Sequence, residues 1–300
     1  MNALNKLVVA TLPAIPKPIV RQVAGRYIAG EHLTDAVGTV RRLNAAGMCA
    51  TLDVLGEDIT RREEAVASRD HSIEALRTIA QEQLDANLSI KLTSLGLKLD
   101  RGFCKENVRQ IISTAAELRT FVRIDMEDSS CTTDTIDVYR TMRSTFSNVG
   151  IVVQAYLRRT HEDVKHLIGE RADFRLCKGI YREPEEIAFK EYEEINESFR
   201  SLLRLMLSRG TRVGIATHDT PLVEAAYQMI REMGLQRHQY EFQMLLGVRP
   251  ELRDRIVRDG HPMRVYVPYG THWYGYSMRR FKENPQLAGY VFKALFSREG

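Results

Sequence analysis

The chain has 300 residues, ordinary for one α/β barrel and long enough to bury a large core. Hydrophobic residues make up 44% and charged residues 27%, as in an average globular protein, and the net charge of +4 is dispersed. The chain has no dense basic run of the sort nucleic acid requires, and no apolar stretch near the roughly 20 residues of a spanning helix, so it reads as soluble or peripheral.

Residues 1–45 precede the first predicted strand and read as an N-terminal helical arm. They hold a short apolar run, Leu7–Leu12, broken by Pro13, Pro16 and Pro18, and an amphipathic stretch, Ile19–Leu43. From residue 46 to 300, short β-branched runs alternate with longer helical patterns. Strand Met48–Leu55 is followed by helix Thr60–Asn87, strand Ser89–Leu92, helix Lys105–Thr120, strand Phe121–Met126 and helix Thr132–Ser144. Strand Gly150–Tyr156, helix Thr160–Ile168, strand Asp173–Cys177, helix Pro184–Ser208 and strand Arg212–Ala216 come next. Helix Pro221–Gly234, strand Tyr240–Leu245, helix Pro250–Asp259 and strand Met263–Val267 complete the series. Pro221 and Pro250 mark helix starts, and Gly210, Gly234 and Gly260 mark helix ends. Eight such repeats predict the α/β class and a closed (β/α)8 TIM-like barrel, because parallel strands need crossovers and closure removes both edges. An open doubly wound sheet is the alternative, but no GxGxxG follows the first strand.

Barrel active sites lie at the C-terminal ends of strands. Those ends carry Lys91; Asp125 with Glu127 and Asp128; Gln154 with Tyr156; Arg175 with Lys178; Thr217 with His218; Gln243; and Tyr266. A single polar residue leaving a strand is usually a turn residue, but recurrence across seven strands points to a polar mouth. The acids at 125–128 have the composition of a metal site. A hard-metal cage wants further carboxylates at other strand ends, where Lys, Arg and Gln stand instead. The favoured reading is one inward acid, with the others capping the next helix, and no metal. Lys91 and Lys178 keep a Schiff-base lyase open as an alternative, although an Asp125–Lys91 pair would hold that lysine charged. The four cysteines form no CxxC and read as reduced thiols of a cytoplasmic protein.

The last barrel helix contains Arg279, Arg280 and Glu283, spaced to meet on one face. They are either a solvated ion pair or a carboxylate clamp, in which two forked donors take one small anion and the glutamate steadies them. Asn284 and Pro285 then start a terminal helix with an apolar stripe of Leu287, Tyr290, Val291, Ala294 and Leu295, for packing on the barrel or facing a membrane.

Seven blocks in order resemble one family: Lys91-Leu92-Thr93, Arg123-Ile124-Asp125-Met126-Glu127-Asp128, Val153-Gln154-Ala155-Tyr156, Arg175-Leu176-Cys177-Lys178-Gly179, Ala216-Thr217-His218, Phe242-Gln243-Met244-Leu245 and Arg279-Arg280-Phe281-Lys282-Glu283-Asn284. They are similar to proline dehydrogenase in its short monofunctional bacterial form. The resemblance implies an FAD-containing (β/α)8 barrel that oxidises L-proline to Δ1-pyrroline-5-carboxylate, with hydride passing from C5 to the flavin and electrons then to a membrane quinone. It implies that Arg279, Arg280 and Lys91 hold the proline carboxylate, that Glu283 orients the arginines and that Asp125 holds Lys91. Tyr181, Leu245 and Tyr266 would pack around the ring. Arg175 would lie by the flavin N5, and Met126, Gln154, Lys178, Gly179, Ile180, Thr217, His218 and Gln243 would line the FAD. Cys177 stands where an aliphatic residue is common, and Ile180 replaces a smaller one. The resemblance further implies peripheral contact with the inner face of the membrane. No aldehyde dehydrogenase segment follows, so the second step would belong to a separate pyrroline-5-carboxylate dehydrogenase.

Overall fold

The computed structural model describes residues 17–56 and 59–283, and the side chains of these except at 19, 22, 23 and 279–283. Two helices come first, α1 (Lys17–Ala24) and α2 (Leu33–Ala45). The single amphipathic stretch expected over Ile19–Leu43 is thus divided. Gly25 and Gly30 interrupt it, and the second helix restarts where the Asp35 carboxylate accepts from the His32 backbone N–H at 3.0 Å.

The barrel follows as β1 (Cys49–Val54), α3 (Arg62–Gln81), β2 (Ala86–Ile90), α4 (Arg101–Glu117), β3 (Val122–Ile124), α5 (Thr132–Arg143), β4 (Val149–Gln154) and α6 (Thr160–Gly169). Its second half is β5 (Phe174–Cys177), α7 (Tyr192–Ser208), β6 (Val213–Ala216), α8 (Thr220–Glu232), β7 (Tyr240–Leu245), α9 (Pro250–Arg258), β8 (Met263–Tyr269) and α10 (Trp273–Glu283). Every strand pairs in parallel with its successor, and β8 returns to β1 with Cys49 opposite Arg264 and Val54 opposite Tyr269. The eight strands and their closure are those expected. Two helices differ from expectation. The helix predicted to reach Asn87 stops at Gln81, because Gln83 turns left-handed at φ 50° and Leu84 N–H bonds back to Ile79, which frees Ala86 to begin β2. The helix predicted from Pro184 begins only at Tyr192, since Ala188 is held in an antiparallel bridge to Leu157.

The apolar core lies between sheet and helices. Leu52, Leu88, Ile124, Leu176, Ile215 and Val267 of the strands join one cluster with Val40, Leu76, Ile112, Leu203 and Val223 of the helices. Burying each such side chain contributes about 1.5–3 kcal/mol. Val40 places α2 in this same core.

Barrel interiors are usually filled by branched aliphatic residues. This one holds buried Arg123, Arg175, Glu241 and Gln243. Arg123 is 1% exposed and donates to the Asp173 carboxylate at 2.5 Å and to its carbonyl at 2.6 Å. Glycines on neighbouring strands make room for these long side chains. A Cβ on Gly150 would collide with the Arg123 guanidinium and stand 2.7 Å from the Asp173 carbonyl oxygen. Since part of that obstacle is backbone, Gly150→Ala is expected to cost about 1–3 kcal/mol as overpacking. A urea melt checks it, and an unchanged midpoint would show that the layer can yield.

At the open end of the barrel, α10 packs on α1. Tyr276 joins a small cluster with Ala24, Ile28 and Leu55. No helix among the described residues is long and apolar enough to cross a membrane.

Candidate active site

The expected residues Lys91, Asp125, Met126, Gln154, Arg175, Lys178, Gly179, Ile180, Tyr181, Thr217, His218, Gln243, Leu245 and Tyr266 line one cavity of about 740 Å³. It opens at the C-terminal ends of the strands, where the fold places barrel chemistry. Arg279, Arg280 and Glu283 lie on α10, but their side chains lie outside the described residues, as does the stripe from Leu287 to Leu295. Three strand-end residues turn elsewhere. Tyr156 is buried in a cluster with Leu157 and Ala188. Glu127 accepts from the Thr93 backbone N–H at 3.0 Å and from the Thr93 hydroxyl, and Asp128 accepts from Ser130 N–H at 3.0 Å. Asp125 is thus the inward acid and Asp128 caps the turn that follows, but Glu127 does not cap the next helix: it reaches back to Thr93 after β2.

A buried charge cluster forms the floor of the cavity. Asp125 follows β3 directly, and its Oδ1 accepts from Arg175 Nη1 at 2.8 Å and from Ser89 Oγ at 2.6 Å. Its Oδ2 accepts from the Tyr266 hydroxyl at 2.8 Å, with Lys91 Nζ 3.6 Å away. Burial alone would raise the Asp125 carboxyl, but Arg175 and Lys91 outweigh it and hold it below the usual carboxylate range. The short bonds of Lys91 go instead to Asp53, whose two oxygens lie 2.8 and 2.9 Å from Nζ. Burial pushes the Asp53 carboxyl up, and Lys91 opposes the rise. Burial, with the two nearby carboxylates, also keeps the Tyr266 phenol well above its ordinary range. Tyr266 therefore acts as a neutral donor, and its ring lies 5.3 Å from the Arg175 guanidinium.

The cavity walls have fixed polarity. Gln154 donates its amide to the Glu127 carbonyl at 2.8 Å, which aims its side-chain oxygen the other way. His218 Nε2 accepts the Leu245 backbone N–H at 2.9 Å, so that nitrogen carries no proton. Lys178 Nζ lies 2.5 Å from Asp219 Oδ2, which also accepts from the Tyr192 hydroxyl at 2.6 Å. Gly179 sits at φ 105°, and a Cβ there would run into the Tyr156 ring, so only glycine serves. Burial pushes the Cys177 thiol up to about 11, which leaves it un-ionised at neutral pH.

Reading only strand ends missed several residues. Asp53 is the lone acid in the apolar run of β1 and stands inside the strand, one residue before its end, where a strand-end pattern does not look. Tyr192, Asp219, Arg249 and Tyr276 also line the cavity, from loops and helix starts that strand periodicity does not reach. A second cavity of about 550 Å³ shares Lys91 with the first, but it contains neither Asp125 nor Arg175.

Comparison with known proteins bears on this geometry. The family profile described as proline dehydrogenase matches residues 36–291. The chain belongs to the proline dehydrogenase family. It is 40% identical over 275 residues to proline dehydrogenase 1 of Bacillus subtilis subsp. natto, covering 92% of this chain and 91% of that protein. It is 32% identical over 299 residues to the proline dehydrogenase of Deinococcus radiodurans, covering 95% and 96%. The crystal structure of proline utilization A (PutA) from Bdellovibrio bacteriovorus, inactivated by N-propargylglycine, superposes with a TM-score of 0.82 at 24% identity, over 88% of this chain and 33% of that one. That likeness shows the fold. Family membership gives the chain proline dehydrogenase activity, the first step of proline catabolism.

Proposed function

We propose that this chain oxidises L-proline to Δ1-pyrroline-5-carboxylate by hydride transfer from C5 to FAD held in the barrel mouth, and that the electrons then pass to a membrane quinone. The observation that carries the reading is the Arg175 guanidinium on the cavity floor. Its Nε is taken by Gln243 and its Nη1 by Asp125 and Ser89, which leaves Nη2 with no protein acceptor among the described residues. A fixed donor of that kind suits a ring system that gains negative charge on reduction. Gln154 fits the same group, because its outward carbonyl oxygen matches the imide N–H of a flavin. Lys178 stands at the rim as a cation for the phosphates, and Met126, Gly179, Ile180, Thr217, His218 and Gln243 line the remainder of the FAD. FAD, when bound, supplies the hydride acceptor, and the protein supplies orientation and charge.

The substrate is positioned by the chain's own groups. Arg279 and Arg280, with Lys91 as a third cation, hold the proline carboxylate, and Glu283 orients the arginine pair. Tyr181, Leu245 and Tyr266 pack around the pyrrolidine ring, exclude water and fix C5 in place. Asp125 keeps Arg175, Lys91 and Tyr266 in one geometry. The Lys91–Asp53 pair counts against a Schiff-base lyase, since a paired ammonium is a poor nucleophile. Residues 46–300 form the catalytic barrel and 1–45 an arm. The chain works in the cytoplasm, touches the inner face of the membrane peripherally to reach quinone, and leaves its product to a separate pyrroline-5-carboxylate dehydrogenase.

The visible spectrum tests this directly. The purified protein should be yellow, and anaerobic L-proline should bleach the flavin bands. A colourless protein that FAD cannot reconstitute would overturn the reading.

A further inference from the structure

Below the cavity floor lies a carboxylate that the proposed reaction does not use. Glu241 stands on β7, two residues before Gln243, and is 3% exposed. Its Oε1 accepts from Arg264 Nε at 2.8 Å and from the Gln243 amide at 2.6 Å. Its Oε2 accepts from Arg212 Nη2 at 2.8 Å. Burial would raise this carboxyl, but Arg264 and Arg212 outweigh it and hold it at about 2, so it stays ionised and can only accept.

An acceptor in that position settles which way the Gln243 amide turns. Its NH2 must face Glu241, and its oxygen therefore faces Arg175, accepting from Nε at 2.5 Å. In the reversed amide, carbonyl would meet carboxylate and NH2 would meet the Arg175 N–H. The neighbouring strand makes room for this arrangement, since a Cβ on Gly214 would overlap the Gln243 amide and stand 2.8 Å from its Cδ. The other two partners of Glu241 have acceptors of their own. Arg264 donates to the Ala50 carbonyl at 2.7 Å, and Arg212 reaches Asp173 at 3.4 Å. Gln243 has no second anchor for its NH2 among the described residues.

We propose that Glu241 is a positioning residue for the reaction: from one layer below the cavity it fixes the Gln243 amide, and Gln243 in turn fixes the tilt of Arg175 and the direction of its unclaimed Nη2 toward the flavin. The relay rests on the flavin reading given above. It makes the electrostatics at the cofactor depend on a group that touches neither cofactor nor substrate.

The test uses FAD-loaded protein carrying Glu241→Gln, with Arg264→Met as the control that removes an ion pair of Glu241 and keeps its carboxylate. Three quantities are read: the flavin midpoint potential by dye equilibration, the kcat/KM split for proline, and the melting temperature. Glu241→Gln should move the potential to more negative values. It should also lower kcat roughly tenfold with KM little changed, by analogy with outer-shell partners that orient metal ligands. Arg264→Met should lower the melting temperature and leave the potential where it was. An unmoved potential in Glu241→Gln overturns the relay, and so does an equal shift in Arg264→Met at matched loss of melting temperature. If Glu241→Gln does not fold, Gln243→Met cuts the relay one step higher, and a native potential in that variant overturns it as well. Wild-type protein that takes up no FAD would sink the flavin reading instead, so the two failures are distinct.

Discussion

Asp125→Ala should lower kcat/KM for proline by roughly 10²–10³, the range typical of losing a preorganised electrostatic contact, and should destabilise the fold at the same time. Both effects come from one geometry. The two oxygens of this carboxylate serve Arg175, Ser89 and Tyr266, with Lys91 close by. Its removal leaves a buried guanidinium short of its counter-charge, and breaking buried pairs of this kind costs about 3–5 kcal/mol. Lys91 retains Asp53, so the damage should centre on Arg175 and Tyr266. Asp125→Asn separates the two effects. It keeps the volume and one acceptor, and so should recover much of the stability while activity stays low. Urea melts alongside dye-coupled turnover make the comparison. An Asp125→Ala protein with near-native kcat/KM would remove this residue from the mechanism.

The second large effect concerns the arginine pair. Arg279→Met and Arg280→Met should each raise KM for proline by roughly 10- to 100-fold, as expected for losing a charge-assisted contact worth about 1.5–3 kcal/mol, with FAD still bound. The helix backbone of α10 carries both positions, and Tyr276, three residues before Arg279, lines the cavity. Each variant should also discriminate less between proline and pyrrolidine, which lacks the carboxylate. Near-native proline affinity, or unchanged preference over pyrrolidine, would show that the clamp stands elsewhere.

The eight strands could be read because each is a short β-branched run set off by a long helical one, and Pro221 and Pro250 sit in first turns as expected. The polar interior could not be read in the same way. Parallel strands are buried on both faces, so their sequences do not alternate, and nothing local says whether Arg123 or Glu241 points inward. The glycines that admit them, Gly150 and Gly214, acquire that meaning only once β4 is known to lie beside β3, and β6 beside β7. Asp53 escaped for a related reason: its partner Lys91 lies 38 residues away and meets it only through the β1–β2 pairing. The lining of the cavity was legible residue by residue at seven strand ends, whereas its wiring needed the register. Neither periodicity nor composition gave the cofactor, which came from the family resemblance.

The packing of α10 on α1 carries a consequence for affinity. Tyr276 of α10 is seated on Ala24 and Ile28, in and just after α1, and on Leu55 after β1. If the arginine pair of α10 supplies the countercharge for proline, the N-terminal segment contributes to the grip on proline through its contact with Tyr276. Docking of that segment and occupancy by proline are then two coupled equilibria: the factor by which docking raises proline affinity is the factor by which bound proline favours docking.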